Sequence, residues 1–213
     1  MNSRKGLFIV LEGGEGVGKT TNLTFIHKYL RERNIAFETG REPGGTPLAE
    51  KIRDLVLSRH DEPVADMTEL LLIFAARAQH LAQKIVPVLA SGSWMVCDRF
   101  TDATYAYQGG GRQLDKHVIE QLEQSVQGDL RPDCVIILDA PVEVGHARAR
   151  ARAELDRMES EATSFHQRVR EAYLERANRS PRHYAVIDAA RPLAEVQADI
   201  EVLLDQLISG WQG

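Results

Sequence analysis

The chain has 213 residues, of which 43% are hydrophobic and 27% are charged, and its formal net charge is −5. This length suits one folded domain with a full core, and the negative net charge argues against a general nucleic-acid binder. The longest apolar run, residues 70–76, is too short to span a bilayer, and the short polar start of the chain is not typical of a signal peptide.

The first predicted elements are a strand over residues 7–11, a glycine-rich loop and a helix over residues 21–33. The loop reads G-x-x-x-x-G-K-T over residues 13–20. Between a strand and a helix, such a loop directs backbone N–H groups at a phosphate. Lys19 then reaches the β- and γ-phosphates, and the Thr20 hydroxyl holds magnesium. The sequence therefore predicts a nucleotide site rather than a glycine-rich turn that binds nothing.

Hydrophobic periodicity and turn residues predict the remaining elements. Further strands are expected at residues 36–39, 94–98, 134–139 and 184–188. Further helices are expected at residues 47–57, 67–90, 115–126, 142–152, 162–178 and 192–208. Thr46 is the expected N-cap of the helix that begins at Pro47, and Pro87 is expected to bend its helix or to lie near its end. Residues 99–112 are predicted to form a polar, glycine-rich loop with one helical turn around residues 103–107.

Apolar strands that alternate with helices indicate an α/β fold, in which helices cover both faces of a parallel sheet. The sequence has no repeat or linker that would divide it, so residues 1–213 are predicted to form a single domain. Cys97 and Cys134 lie in predicted strands and form no C-x-x-C pair. Buried, reduced thiols are the expected outcome, and they are typical of a cytoplasmic protein.

Ligands of a parallel sheet gather at the carboxyl ends of its strands, which places four acidic residues near the phosphate loop. These residues are Glu12, Asp98, Asp139 and Asp188. Asp98 is favoured as the acid on the magnesium side because Arg99, which can bind a second phosphate, follows it directly. A helix cap or a turn is the more common role for a residue in the position of Asp139 or Asp188.

Several arginines are candidates for binding anions. Arg77 lies among short apolar side chains of a predicted helix, and a recessed arginine usually needs an anionic partner. Arg41 lies in a Pro- and Gly-rich loop, and Arg53 lies on the helix after it, where a solvated side chain is the usual role.

The densest basic segment contains Arg148, Arg150, Arg152 and Arg157. It is either a solvated, charge-rich helix or a mobile segment that brings an arginine to a transferring phosphoryl group. On a helix Arg150 points roughly 160° away from Arg148 and Arg152, so they cannot all face one phosphate. Arg152 is the favoured phosphate ligand because it lies beside a non-periodic stretch that can move.

Six strings in this chain resemble those of bacterial thymidylate kinases. They are residues 11–20 with the phosphate loop, R-E-P-G-G-T at 41–46, F-A-A-R at 74–77, D-R-F at 98–100, Y-Q-G-G-G-R at 107–112 and the basic segment at 148–159. The resemblance implies transfer of the ATP γ-phosphate to dTMP, with Mg²⁺, to give dTDP for DNA replication. It also implies the three-layer P-loop NTPase fold with a five-stranded parallel sheet, a small lid at about residues 148–161, and a homodimer. No nucleic-acid or membrane partner is expected.

The same resemblance implies the residues of the site. The implied ATP-binding residues are Gly13, Gly14, Glu15, Gly16, Val17, Gly18, Lys19, Thr20, Thr21, Arg148 and Arg152. The implied dTMP-binding residues are Glu15, Arg41, Pro43, Arg53, Phe74, Arg77, Arg99, Thr104, Tyr107 and Gln108. The implied catalytic residues are Lys19, Asp98, Arg99, Arg152 and Glu12, and the implied metal ligands are Thr20, Asp98 and Glu12.

Roles within the acceptor site follow from the resemblance in the same way. Glu15 is expected to meet the deoxyribose 3′-hydroxyl, and Arg41 and Arg99 to lie around the acceptor phosphate. Thr104 and Gln108 are expected near the base and Tyr107 beside the sugar. Gly16 occupies a position where another type of the family has arginine, so this chain is similar to the type with its arginine in the lid. Many members have an aromatic residue four positions before Arg77, where this chain has Ile73, whereas Phe74 lies three before.

Three other functions are weighed against this one. A kinase of the same sheet could act on another small molecule, and the string at residues 98–112 argues against that. A GTP-dependent switch would need N-K-x-D and D-x-x-G, and the sequence contains neither. An ATP-binding module without turnover remains open, because motifs alone do not establish catalysis.

Overall fold

The computed structural model describes residues 5–150 and 156–212, except for the side chain of Arg150. The described part contains a five-stranded sheet with all neighbouring strands parallel, in the order β2-β3-β1-β4-β5. The strands are β1 Phe8–Gly13, β2 Phe37–Arg41, β3 Trp94–Asp98, β4 Cys134–Asp139 and β5 Tyr184–Asp188. The predicted α/β fold with a five-stranded parallel sheet is therefore confirmed.

The helices of the described residues follow the predicted order. They are α1 Lys19–Glu32, α2 Pro47–Leu57, α3 Asp66–His80, α4 Val86–Ala90, α5 Thr101–Thr104, α6 Lys116–Gln127, α7 Val142–Arg150, α8 Thr163–Arg179 and α9 Leu193–Gln212. The hydroxyl of Thr46 accepts a hydrogen bond from the backbone N of Ala49 at 3.3 Å, so the predicted N-cap of α2 is confirmed. A π-helical stretch, Leu81–Ile85, joins α3 to α4 just before Pro87, whose ring nitrogen cannot donate a hydrogen bond.

The segment predicted as a loop at residues 99–112 is mostly helical, so the loop prediction is wrong, whereas the helical turn expected around residues 103–107 is confirmed. Helix α5 continues into a π-helical stretch, Tyr105–Gly111. Its glycines permit close packing against α8: a Cβ on Gly110 would lie 2.8 Å from the carbonyl oxygen of Arg168, and one on Gly111 would lie 2.4 Å from the Phe165 ring. Gly110 and Gly111, which suggested a loop, therefore leave the space in which α8 packs.

The sheet separates two hydrophobic cores, as expected of a three-layer fold. Alternate residues of β1 face opposite sides, so Ile9 and Leu11 pack with α1 and α9, whereas Phe8 and Val10 pack with α8. Both cysteines are buried free thiols, as the strand pattern predicted. Within residues 5–150 and 156–212, none of the helices is long and apolar enough to cross a membrane.

Candidate active site

The phosphate loop runs from Gly13, the last residue of β1, to Lys19, the first residue of α1. Gly18 takes the N-cap position with φ at 91°, a left-handed conformation that favours glycine. The Lys19 ammonium folds back across the loop and donates to the carbonyl oxygens of Gly13 at 3.0 Å and Gly14 at 2.6 Å. Burial, with repulsion from Arg99, lowers the pKa of Lys19 from 10.5 to about 8. A bound phosphate would replace two neutral carbonyl partners with an anion.

The tip of this loop lies directly against α7, the helix that leads into the predicted lid. A Cβ on Gly16 would lie 1.9 Å from the carbonyl oxygen of Gly145, and a Cβ on Gly145 would lie 2.3 Å from that of Glu15. Gly16 also has φ at 69°. The loop and α7 therefore meet backbone to backbone, with no space for a side chain between them.

Arg99, Glu15 and Tyr107 form a charged cluster beside the loop. The Arg99 guanidinium donates to Glu15 Oε1 at 2.6 Å and to the Tyr107 hydroxyl at 2.8 Å, and Tyr107 also donates to Glu15 at 2.5 Å. Burial acts to raise the pKa of Glu15, but the charges of Arg99 and Lys19 and the hydrogen bond from Tyr107 outweigh it. The pKa of Glu15 therefore lies well below its ordinary value, and its carboxylate is ionised and held in place.

The two candidate metal ligands from the strand ends differ in environment. Asp98 ends β3, and its buried Oδ1 has no hydrogen-bond partner among the described residues. Glu12, in contrast, is fully buried and accepts hydrogen bonds from the backbone N of Phe100 and Ala103 and from the Tyr173 hydroxyl. These bonds position the segment after β3, so the contacts of Glu12 are structural and do not favour the predicted metal and catalytic roles.

A cleft that Arg99 helps to line is called the acceptor pocket here. Its lining residues are Glu15, Glu42, Pro43, Arg53, Val56, Leu57, Ile73, Arg77, Arg99, Phe100, Ala103, Thr104, Tyr107, Gln108, Asp156 and Met158. Arg99 lies at the phosphate loop and interacts electrostatically with Arg53, whereas Arg77 donates a hydrogen bond to Thr104. Polar side chains set among apolar walls are typical of a small-molecule site.

Arg77 is 1% exposed and makes three hydrogen bonds at the inner end of the acceptor pocket. Nε donates to Glu42 Oε2 at 2.7 Å, and Nη2 donates to the Thr104 hydroxyl at 2.9 Å and to the carbonyl oxygen of Phe100 at 3.1 Å. Nη1 is buried and has no partner among the described residues. The predicted anionic partner of Arg77 is therefore Glu42, and one nitrogen remains to donate to a ligand.

A second buried carboxylate, Glu69 of α3, lies behind Gln108. It accepts from the Gln108 amide at 2.8 Å and from Arg157 at 2.6 Å, and Arg112 approaches it at 3.3 Å. Burial acts to raise the pKa of Glu69, but these donors outweigh it and lower the pKa. Arg157 also donates to the carbonyl oxygen of Val56 at 2.7 Å, so this arginine of the basic segment lies against the acceptor pocket.

A shallow groove on the opposite side of the phosphate loop is called the donor groove here. It is lined by Val17, Gly18, Thr21, Asn22, Arg148, Ala189, Arg191, Leu193 and Val196. Arg148 donates to the carbonyl oxygen of Ala189 at 2.8 Å. Arg152, the predicted lid arginine, lies outside the described residues.

A protein-family model described as thymidylate kinase matches residues 11–200. The chain is 60% identical over 208 residues to the thymidylate kinase of Ectopseudomonas mendocina. This match covers 98% of the chain and 99% of that relative. It is 57% identical over 208 residues to the thymidylate kinase of Pseudomonas putida strain F1, with the same shares covered. It is 55% identical over 203 residues to that of Teredinibacter turnerae, covering 95% of this chain and 99% of the relative.

The chain belongs to the thymidylate kinase family. The structure brings most of the predicted acceptor residues together. Those that line the acceptor pocket are Glu15, Pro43, Arg53, Arg77, Arg99, Thr104, Tyr107 and Gln108. Arg53 donates to the carbonyl oxygen of Pro43 at 2.9 Å. Arg41 does not line the pocket: it is half-exposed and forms a two-point ion pair with Glu50, at 2.6 and 3.1 Å.

Phe74 is the clearest misplacement among the predicted acceptor residues. It is 2% exposed and packs with Leu70, Tyr105 and Ile119, whereas Ile73 lines the acceptor pocket. Phe74 and Ile73, three and four positions before Arg77, lie on either side of it around the helix. In α3, Ile73 faces the acceptor pocket and Phe74 faces α6.

Two other acids at strand ends have ordinary partners. Asp139 forms a two-point ion pair with Arg170 at 2.7 and 2.8 Å, which is neither of the predicted cap and turn roles. Asp188 accepts from the backbone N of Ala190 at 2.9 Å, which confirms the turn role.

The pocket residues that the sequence did not indicate are mostly apolar. They are Val56, Leu57, Ile73, Phe100, Ala103, Asp156 and Met158, together with Glu42. Apolar wall residues have the same pattern as core residues, so nothing in their spacing distinguishes them. Glu42 could have been proposed from the sequence as a partner of Arg77. The sequence indicated that Arg77 needs an anion, and Glu42 is a carboxylate in a loop rich in turn residues.

Proposed function

We propose that the chain transfers the γ-phosphate of ATP to dTMP and gives ADP and dTDP, a step towards dTTP for DNA replication. Membership of the thymidylate kinase family supports this reaction. The single observation in the fold that supports it best is the acceptor pocket beside the phosphate loop. It has cationic groups at the loop end and a closed polar end where a base can be recognised.

On the donor side, we propose that the loop residues 13–21 bind the phosphates of ATP through backbone N–H groups and the N-terminus of α1. Lys19 leaves its carbonyl partners and binds the β- and γ-phosphates, where its charge stabilises the transferring group. The adenine end of ATP occupies the donor groove, with Arg148 beside it. Arg152, as the lid arginine, reaches the phosphoryl group during transfer.

On the acceptor side, Arg99 and Arg53 bind the dTMP phosphate, with Arg41 contributing from the edge. The pair of Glu15 and Tyr107 binds the sugar, and the Glu15 carboxylate accepts from the 3′-hydroxyl. Arg77, Thr104 and Gln108 bind the base. Because these groups are fixed before the substrate arrives, the pocket orients dTMP for in-line attack without a large ordering cost.

Magnesium fits the residues at the end of β3. The buried Oδ1 of Asp98 lacks a hydrogen-bond partner among the described residues, and carboxylate oxygen is a preferred ligand of Mg²⁺. We propose that Asp98 and the Thr20 hydroxyl hold the ion. When bound, Mg²⁺ neutralises charge on the β- and γ-phosphates. The oxygens of Glu12 are occupied by other donors, so Glu12 is not part of this site.

We further propose that residues 1–213 act as one kinase domain, with a lid at about 148–161, and that two chains form a homodimer in the cytoplasm. Exposed leucines on α2 and α3 support the dimer. Leu55 is 53% exposed and Leu71 is 50% exposed, on two helices that lie side by side. Apolar side chains grouped in this way are typical of an interface. Sedimentation velocity on the parent and on Leu71→Glu tests it: the parent is expected to be dimeric and the variant monomeric.

The decisive experiment is coupled measurement of ADP release with dTMP present and absent, and with dCMP and AMP in its place. Release that requires dTMP supports the proposal. Equal rates with all three acceptors would support a broader small-molecule kinase. ADP release without any acceptor would indicate ATP hydrolysis rather than transfer to dTMP, and no release with ATP bound would favour a binding module without turnover. The same assay with GTP as the only nucleotide tests the switch alternative.

A further inference from the structure

Glu42 and His80 form a buried polar layer directly behind Arg77. Glu42 is 3% exposed and His80 is 0% exposed. One oxygen of Glu42 accepts from Arg77 Nε at 2.7 Å, and the other accepts from His80 Nδ1 at 3.1 Å. The backbone N of Glu42 donates to the carbonyl oxygen of Asp98 at 2.9 Å. The carboxylate is therefore fixed by a side chain on each oxygen and by its own backbone.

His80 is held as firmly as the carboxylate that it contacts. Its ring packs against the backbone of the Pro-Gly loop, where a Cβ on Gly45 would lie 2.4 Å from Nε2. Nε2 has no partner among the described residues. Because Nδ1 faces an acceptor, Nδ1 carries the proton in the neutral ring.

This layer changes what Arg77 can recognise. An unpaired buried guanidinium would attract an anion, but the Glu42 carboxylate compensates the charge of Arg77. Nη2 is already satisfied by Thr104 and Phe100, which leaves the N–H groups of Nη1. Such a donor suits a neutral carbonyl oxygen. It does not suit an amino group, which would bring two donors together and leave both buried groups unsatisfied.

We propose that Glu42, held by His80, is a positioning residue that sets the base selectivity of the acceptor pocket. It orients Arg77 so that Nη1 donates to a base with a carbonyl oxygen, as in thymine, and rejects a base with an amino group at that place, as in cytosine. Neither Glu42 nor His80 needs to touch the reacting atoms. This inference rests on the proposed function, because it concerns the acceptor of that reaction.

The test is steady-state kinetics of Glu42→Gln with dTMP, dCMP and ATP varied separately. Gln keeps the shape of the side chain but removes its charge and one acceptor oxygen. The kcat/KM ratio of dTMP to dCMP is expected to fall about tenfold or more, from loss of one oriented donor, whereas KM for ATP changes less than about twofold. Glu38→Gln is the matched control, because Glu38 is exposed on the same strand, β2. Its ratio should equal that of the parent.

Two substitutions at His80 separate positioning from mere packing. His80→Asn keeps an N–H near the position of Nδ1 and should keep most of the parental selectivity. His80→Leu fills the space but cannot donate a hydrogen bond to Glu42. Its kcat/KM ratio of dTMP to dCMP should therefore fall, as in Glu42→Gln. If Glu42→Gln does not fold, as judged by its thermal unfolding, the two His80 variants decide the matter.

Unchanged selectivity in a folded Glu42→Gln, or equal selectivity in both His80 variants, would overturn the positioning role. That failure is distinct from failure of the proposed function, in which the parent itself would not phosphorylate dTMP.

Discussion

Two cations of the acceptor pocket, Arg77 and Arg99, have partners of a different kind from two cations on the donor side, Lys19 and Arg148. In the acceptor pocket, Arg77 is paired with Glu42 at 2.7 Å and Arg99 is paired with Glu15 at 2.6 Å. On the donor side, Lys19 and Arg148 donate instead to neutral carbonyl oxygens of the backbone. A carboxylate partner adds Coulombic attraction that a neutral carbonyl oxygen does not supply, so Arg77 and Arg99 are held more firmly, whereas Lys19 and Arg148 can exchange partners at lower cost.

This difference suits the two tasks. Recognition of one base among several requires donors and acceptors that are in position before binding. Binding of a triphosphate requires cations that gain energy when an anion arrives, and a cation released from a carbonyl gains more than one that must leave a carboxylate. A substitution on the donor side should therefore lower turnover, whereas a substitution on the acceptor side should mainly lower kcat/KM for dTMP.

The largest effect is expected from Lys19→Ala on the donor side. Loss of the ammonium removes a charge that stabilises the transferring phosphoryl group, so turnover should fall on the order of 10³-fold or more. Lys28→Ala is the matched control, because Lys28 lies on the same helix in an exposed ion pair with Glu32. Steady-state kinetics with saturating dTMP measure both. Turnover of Lys19→Ala within about threefold of the parent would remove the loop from the mechanism.

A large effect on the acceptor side is expected from Arg99→Ala. The change removes a phosphate ligand and also leaves the buried Glu15 carboxylate without its closest cation. We expect kcat/KM for dTMP to fall about 100-fold, with a smaller change in KM for ATP. If the two substrates are affected equally, the division between an acceptor side and a donor side is wrong.

A smaller effect separates Ile73 from Phe74. Ile73→Ala removes an apolar wall of the acceptor pocket and should raise KM for dTMP about tenfold, as for loss of roughly 1.5 kcal/mol of contact. Phe74→Leu should leave KM near the parental value but lower the free energy of unfolding by about 1–2 kcal/mol, because that ring lies in the core. A reversed result would restore Phe74 as the acceptor contact.

An effect on stability rather than on activity is expected at Glu12, the buried neighbour of the loop. Burial, with the nearby Asp102 carboxylate, raises the pKa of Glu12 from 4.5 to about 8. Between pH 4.5 and about pH 8, Glu12 keeps its proton in the folded protein but releases it in the unfolded chain. The ionisation of Glu12 therefore makes the parent less stable as pH rises. Glu12→Gln cannot titrate, and its free energy of unfolding should therefore improve relative to the parent between pH 5 and pH 8. Urea unfolding at the two pH values measures this, and parallel pH dependence would contradict it.

The parts of this molecule that sequence could predict are those decided by neighbouring residues. The phosphate loop and the Thr46 cap depend on contacts within a few residues, and each strand is marked by its own continuous apolar run. The pairing of Arg77 with Glu42 joins positions 35 residues apart, so the need for an anion was visible but its identity was not. The helical state of residues 101–111 depends on packing against α8 and on bonds to Glu12, and three consecutive glycines suggested the opposite locally. The orientation of Phe74 likewise depends on which helix packs beside it.

The backbone contact between Gly16 and Gly145 restricts how this enzyme can evolve. An arginine at position 16 would place its Cβ 1.9 Å from the carbonyl oxygen of Gly145, at a φ of 69° that a side chain rarely adopts. Moving the phosphate-binding arginine from the lid into the loop therefore requires α7 to shift first. Because α7 leads into the proposed lid, that shift would disturb the segment on which the proposed mechanism depends for its lid arginine. No single substitution converts an enzyme with its arginine in the lid into one with its arginine in the loop. A lineage that begins with glycine at position 16 is therefore expected to keep it.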